Sequence, residues 1–202
     1  MIFYKSLSKM KKVSFIIPCY NEEESLPILY QRLNNVANQL NNYKCEFIFI
    51  NDGSKDKTEE IIENLNKNDN RVKLFSFSRN FGHQAAVSCG IHNCESDIAI
   101  IIDADLQDPP EIIPDMIKEY EKNKYPIIYG KRISREGESL FKKLTASIFY
   151  RLINLLSEVQ FPVDTGDFRL IDKTVIEAYK SFSENPKYIR GLISWMGFEQ
   201  KA

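Results

Sequence analysis

The run "DADLQDPPE", residues 103 to 111, places Asp103, Asp105 and Gln107 two residues apart, with Asp108 next, directly behind the apolar stretch "IAIII". Carboxylates crowded at a strand end repel one another, raise each other's pKa and destabilise their ionised forms. A cation offsets that cost. Alternating along an extended segment, Asp103, Asp105 and Gln107 can offer hard oxygen ligands to one divalent ion, Mg²⁺ or Mn²⁺, with substrate phosphates completing the shell. Asp105 or Asp108 can equally cap a helix, with Pro109 and Pro110 fixing the turn. Asp103, behind its apolar run, has no such local explanation.

Two further polar clusters follow strand-like segments: "PCYNEEE" (18 to 24) and "NDGSKD" (51 to 56). Asn51, Asp52, Gly53 and Ser54 can form a tight turn bonded to its own backbone, or Asp52 can read a nucleobase or a ribose. "YNEEES" can be an acidic helix start that complements the helix dipole, or part of a site. In "SRNFGH" (78 to 83) Arg79 suits a diphosphate or a neighbouring carboxylate, and His83 reads as the first residue of a helix rather than a catalyst. The Gly-flanked basic loop from residue 130 offers Arg132 as a phosphate clamp, while Lys142 and Lys143 suit a solvated helix face or a membrane surface. "TGDFRL" (165 to 170) brings Asp167 beside Arg169, either as a buried ion pair or with Asp167 turned to sugar hydroxyls or the reacting centre.

The elements that must position these groups alternate. Strand patterns cover 13 to 20, 45 to 52, 71 to 78, 97 to 105 and 125 to 130; helical patterns cover 25 to 40, 57 to 67, 83 to 94 and 110 to 123. Ser25 is the expected N-cap of the first helix, whose face carries Leu26, Leu29, Leu33, Val36 and Leu40. Repeated βα units with continuous apolar strands predict an α/β fold, a mostly parallel sheet flanked by helices, with its site at the carboxyl ends of the strands. Beyond Gly130 the rhythm changes to a basic loop, a long amphipathic helix (138 to 157), a turn-rich segment entering a strand (161 to 172) and helices at 173 to 181 and 187 to 195. The expected organisation is one domain, 1 to 202, with a first half to residue 130 and a second built onto it.

Composition excludes several classes. With 27 basic and 28 acidic residues there is no global field to attract nucleic acid, and 43% hydrophobic residues is a globular content. The four cysteines show no Cys-x-x-Cys or zinc spacing and read as buried free thiols in a reducing compartment. No secretory signal or membrane span is recognisable, so the chain as given is expected to be soluble.

Taken together, "IIPCYNEEE", "FINDGSKDKT", "NFGHQAA", "DADLQDPPE", "YGKRISREGE", "TGDFRLID" and "RGLISWMGF" resemble the family 2 glycosyltransferases, in the polyprenyl-phosphate branch that contains the dolichyl-phosphate mannosyltransferases and bactoprenol glucosyltransferases. The resemblance implies a GT-A fold with a nucleotide-sugar half and an acceptor-side half. It implies that Pro18, Tyr20, Asn21, Glu22 and Asp52 hold the nucleoside, and that Asp103, Asp105 and Gln107 hold Mg²⁺ or Mn²⁺ and the diphosphate. Arg132 falls near the phosphates; Asp167, Arg169, Arg190 and Trp195 fall on the acceptor side. Asp105, Asp167 and Arg132 are the residues expected to carry the reaction.

The implied reaction is inverting transfer of one sugar from a UDP- or GDP-linked donor to a polyprenyl phosphate in cell-envelope glycan synthesis. The Gln-x-x-Arg-Trp motif of processive relatives is absent, which implies single transfer. The branch usually continues into membrane helices, so a C-terminal membrane region beyond Ala202 and a place on the cytoplasmic face of the membrane are expected, and a homo-oligomer is compatible with the chain. A phosphatase using an Asp-x-Asp nucleophile fits less well, because its motif follows the first strand. A nicotinamide-binding protein lacks its Gly-x-Gly-x-x-Gly. A nucleotide-sugar-binding module without turnover, or a non-lipid acceptor, is the remaining alternative, which a transfer assay separates.

Overall fold

Period-two side-chain alternation sends Phe15 and Ile17 of the first strand into one buried layer and Ile16 into another, and Phe47 and Phe49 against Ile48 and Ile50 repeat the split in the second. Both faces of the sheet are therefore covered, which is why these strands read as continuous apolar runs. The computed structural model describes residues 10–131, 165–182 and 188–202. Its strands are β1 (Lys11–Cys19), β2 (Tyr43–Asn51), β3 (Val72–Ser76), β4 (Ile98–Ile101), β5 (Ile127–Lys131), β6 (Thr165–Asp172) and β7 (Gln200–Lys201). The helices are α1 (Leu26–Gln39), α2 (Thr58–Asn68), α3 (His83–His92), α4 (Ile113–Asn123, entered through a 3₁₀ turn at Pro110–Ile112), α5 (Lys173–Ser181) and α6 (Ile189–Trp195). Among the described residues no helix is long and apolar enough to cross a membrane.

The sheet order is β3-β2-β1-β4-β6-β5-β7. β1 pairs in parallel with both β2 and β4, so the order reverses there and opens a crevice between the loops that follow β1 and β4. The sheet is mostly parallel, as the sequence pattern predicts. The exception is β6, which inserts between β4 and β5 and runs antiparallel to both. Periodicity could not reveal that insertion, since it depends on pairing between distant segments. β7 was too short to carry a pattern.

Three local expectations are corrected. β4 ends at Ile101 rather than running to residue 105, because the chain turns at Asp105 and Leu106 adopts a left-handed φ of 62°. Ser25 occupies the N-cap position of α1 without capping it; its hydroxyl bonds the Glu22 carboxylate at 2.5 Å instead. All four cysteines are free, yet Cys45 and Cys89 are only half-buried. The helix expected at 138 to 157, the loop bearing Arg132 and the approach to β6 before Thr165 lie outside the described residues.

The apolar face of α1 behaves as read: Leu26, Leu29 and Leu33 are fully buried. Each such side chain contributes about 1.5–3 kcal/mol of transfer free energy. At the far end of this layer a polar cluster ties α1, α2 and β3 together. Asp69 accepts from the Arg71 guanidinium at 2.7 Å and from the Tyr30 hydroxyl at 2.7 Å, while Arg71 also donates to Asn34. The Arg71 hydrogen bonds pull the Asp69 carboxyl from 3.8 down to about 2.

Because the folded value lies below the unfolded one, the unfolded chain binds this proton more readily. The resulting stabilisation is whole above the unfolded value and is lost as pH falls towards the folded one. Asp69→Asn should therefore cost about 1 kcal/mol near neutral pH, a figure reduced for partial exposure. Urea unfolding of both proteins should show that gap closing as pH falls towards about 2. A pH-independent gap would refute the ionic origin.

Candidate active site

The loops after β1 and β2 are stapled to each other before either can meet a ligand. Asn21 sits at a left-handed φ of 55°; its amide N–H donates to the Ser54 hydroxyl at 3.0 Å and its side-chain oxygen accepts from Lys55 N–H at 2.8 Å. Glu22 N–H donates to the Thr58 hydroxyl at 2.7 Å, and Glu23 N–H to Asp56 at 3.1 Å. Asn21 thus acts through backbone geometry. Asn21→Gly keeps the conformation and loses one bond, about 1 kcal/mol, whereas Asn21→Ala adds a left-handed penalty of about 1–2 kcal/mol. Chemical unfolding should rank wild type above Gly above Ala; Ala matching or exceeding Gly would sink this reading.

Asp52, at the end of β2, is buried and faces the next loop: its two oxygens accept from Phe81 N–H at 2.7 Å and Gly82 N–H at 2.9 Å. Three loops are thereby locked in sequence, the first to the second by Asn21 and the second to the third by Asp52. A cleft of about 220 Å³ opens between them and the β4 loop, lined by Pro18, Tyr20, Glu22, Asp52, Asn80, His83, Asp103 and Asp105 among others. Six of the residues expected from sequence converge here: Pro18, Tyr20, Glu22, Asp52, Asp103 and Asp105.

Asp105 is exposed and its Oδ1 accepts from Gln107 N–H at 3.0 Å, a turn that replaces the extended alternation expected for Asp103, Asp105 and Gln107. Gln107 is exposed and does not line the cleft. Asp103 bonds His83 Nε2 at 2.7 Å. That bond, opposed by partial burial and reinforced by the charges of Asp103 and Asp167, raises the imidazole pKa above its ordinary value.

Beside this pair stands a second polar cluster. Asp167 Oδ1 lies 3.2 Å from Arg190 Nε, and its Oδ2 lies 3.7 Å from His83 Nδ1. Arg169 is buried behind it, donating to the Gly166 carbonyl at 3.1 Å, with its guanidinium 3.8 Å from Asp167. Burial pushes Arg169 down to about 10 against the pull of Asp167. Arg169 therefore braces the strand that carries Asp167. Trp195, at the end of α6, is 61% exposed, packs edge-on against Phe182 and lines no part of the cleft. Arg132 lies outside the described residues.

Sequence reasoning missed Asn80 as a lining residue and gave His83 no part in the site. The signal was the "NFGHQ" run after β3, but only the tertiary structure brings it against Asp103 and Asp167. Electrostatically the cleft is acidic, with Glu22, Asp52, Asp103 and Asp105 and, among the described residues, no Lys or Arg in its lining. Burial, aided by Glu22 and Asp103, also drives the Cys19 thiol well up and disfavours its thiolate. An anionic diphosphate would be repelled here without a cation, and the carboxylate donors suit a hard divalent one. His83, Asp103 and Asp167 also place ligand-type atoms within 4.8 Å of one another.

Comparison with known proteins gives the family and the fold. The chain is 45% identical over 197 residues to an uncharacterized glycosyltransferase, YkcC, of Bacillus subtilis, covering 97% of this chain and 60% of that protein. It is 39% identical over 186 residues to the bactoprenol glucosyl transferase of Shigella phage SfV, covering 92% and 60% respectively. It therefore spans about 60% of the length of these curated relatives. The mannosyltransferase PcManGT of Pyrobaculum calidifontis, solved with GDP-Man and Mn²⁺, superposes with a TM-score of 0.62 at 16% identity, over 96% of this chain and 55% of that one. The fold is GT-A. Residues 14–180 match the glycosyl transferase family 2 model, and the chain belongs to that family.

Proposed function

We propose that this chain is the catalytic domain of an inverting, metal-dependent glycosyltransferase that moves a single sugar from a UDP- or GDP-linked donor to a polyprenyl phosphate in cell-envelope glycan synthesis. The observation that carries the reading is one acidic cleft at the β1/β4 crevice, directly beside the Asp167–Arg190 pair. Pro18, Tyr20 and Asp52 form the nucleoside side of that cleft, and Asp103 and Asp105 its diphosphate side. The bactoprenol glucosyl transferase relatives support the lipid phosphate acceptor, and the position on the cytoplasmic face of a membrane goes with it.

Asp103 and Asp105 would hold Mg²⁺ or Mn²⁺, with Gln107 the third ligand expected from the resemblance. When bound, the ion stabilises negative charge developing on the departing nucleoside diphosphate. Arg190 offers positive charge to the incoming phosphate, held in place by Asp167. A phosphate monoester with a second pKa of about 6 arrives largely as a dianion, so Asp167 need not remove a proton. Attack from the acceptor side, opposite the diphosphate, inverts the anomeric carbon. Arg132 is proposed to add a second phosphate contact.

Incubating the chain with UDP-glucose, UDP-GlcNAc or GDP-mannose, a divalent ion and a polyprenyl phosphate in detergent tests this directly. The expected product is a lipid-linked monosaccharide of inverted anomeric configuration, absent in EDTA. Donor binding without transfer to lipid or any other acceptor would leave a binding module. Transfer only to a non-lipid acceptor would reassign the acceptor.

A further inference from the structure

Tyr188, at the N-cap position of α6, makes no side-chain capping bond. The Ile189 N–H, one of the donors a helix start leaves without an intrahelical partner, instead donates to Gln84 Oε1 at 2.9 Å, across 105 residues of sequence. This contact fixes more than the helix. A backbone N–H can only donate, so the Gln84 oxygen must face Ile189 and the amide NH₂ must face the other way. There it meets His83 Nδ1 at 3.3 Å. An NH₂ can only donate, so Nδ1 must present its lone pair. The ring hydrogen then belongs to Nε2, where it is donated to Asp103 Oδ1 at 2.7 Å.

We propose that Gln84 is a positioning residue that locks His83 in its Nε2–H tautomer and couples the seating of α6 to the Asp103 carboxylate. Nothing in the reading of the reaction needs this residue, but the role assigned to it rests on that reading, since α6 carries Arg190. The arrangement also divides the two carboxylates. Asp103 takes the His83 hydrogen, while Asp167, 3.7 Å from the bare Nδ1 and beyond hydrogen-bond reach, takes Arg190 at 3.2 Å. A ring turned to the other tautomer would set Nδ1–H against the Gln84 NH₂, and relieving that clash by flipping the amide would break the bond to Ile189.

Ring-nitrogen NMR on imidazole-labelled chain, followed upward in pH until the wild-type resonances stop moving and read there for every variant, gives the tautomer of the neutral ring without any transfer assay. The tautomer result and the transfer reading can therefore fail separately. His92, the other histidine, is assigned by His92→Gln. The wild-type spectrum should show His83 protonated on Nε2 with a bare Nδ1. Because a free imidazole already leans that way, the deciding variant is Gln84→Glu, which can still accept from Ile189 but offers Nδ1 an acceptor. It should place a second hydrogen, taken from solvent, on Nδ1 while the first stays on Nε2 facing Asp103, so that the ring carries a hydrogen on both nitrogens. Gln84→Met, similar in length and unable to hydrogen bond, should keep the Nε2 hydrogen on Asp103 and shift the Nδ1 resonance to that of a lone pair accepting no hydrogen bond. A wild-type spectrum with Nδ1 protonated overturns the proposal whether or not the variants fold. So does a folded Gln84→Glu whose Nδ1 stays bare.

Discussion

Asp105→Asn should leave the protein folded and lower metal-dependent donor affinity by about 100-fold, the upper end of what losing even an outer partner of a metal ligand costs in metal affinity. The two halves of this expectation come from different atoms. The Asp105 oxygen that accepts from Gln107 N–H survives as the carboxamide oxygen of Asn, so the turn is kept. Asp105 is exposed, and substitutions at such positions usually change stability by no more than about 0.5 kcal/mol. What disappears is one negative charge from a cleft whose lining, among the described residues, holds four carboxylates and no Lys or Arg. Calorimetric titration of UDP-glucose, UDP-GlcNAc and GDP-mannose, with Mn²⁺ and with EDTA, measures the effect. Unchanged affinity in the folded variant would remove Asp105 from the metal site and leave Asp103 with His83 as the functional pair.

Gly53→Ala should be the most damaging single methyl group in the described site. Gly53 adopts a φ of +67°, and a Cβ there would stand 2.3 Å from the Arg79 carbonyl carbon and 2.7 Å from Asn80 N. The conformation alone costs an alanine about 1–2 kcal/mol. The obstruction is backbone, which cannot swing aside as a side chain would, so the loop at Arg79 must move and stretch the bonds from Phe81 and Gly82 to Asp52. A total of about 3 kcal/mol follows, lowering the melting temperature by roughly 6–12 °C for a chain of this size. Donor affinity should fall with it, because Asp52 and Asn80 both line the cleft. Gly82→Ala is the control: its φ is +97° but no atom lies within 4 Å of the added methyl, so it carries strain without collision. Equal melting temperatures for the two variants would show that the loops are not interlocked as described.

Local chemistry explains why so much of the site was legible in the chain. Acidic residues placed just after apolar runs can be read one segment at a time, and four of them, Glu22, Asp52, Asp103 and Asp105, do meet in one cleft, joined there by Pro18 and Tyr20, which the family resemblance supplied. Asn21 shows the limit of that reading. Its residue type marked it for the site, but its left-handed backbone and its bond to Lys55 make it a clasp between loops. Gln107 shows another limit: alternation predicted that it would share a direction with Asp103 and Asp105, and the left-handed Leu106 breaks the alternation before it is reached.

The sequence by itself determined the βα rhythm, the two buried faces and the acidic strand ends, because hydrophobic period and turn chemistry act over a few neighbouring residues. Only the tertiary structure decided that β6 enters between β4 and β5. That insertion, together with the packing of α3 and α6, sets Asp167, His83, Asp103 and Arg190 within one network of contacts. Those four residues are separated by up to 107 positions, counting from His83 to Arg190 (190 − 83), and no local pattern specifies which distant segments will pair. Strand pairing and helix docking are chosen by the burial of whole faces, and the charges that ride on those elements meet as a consequence.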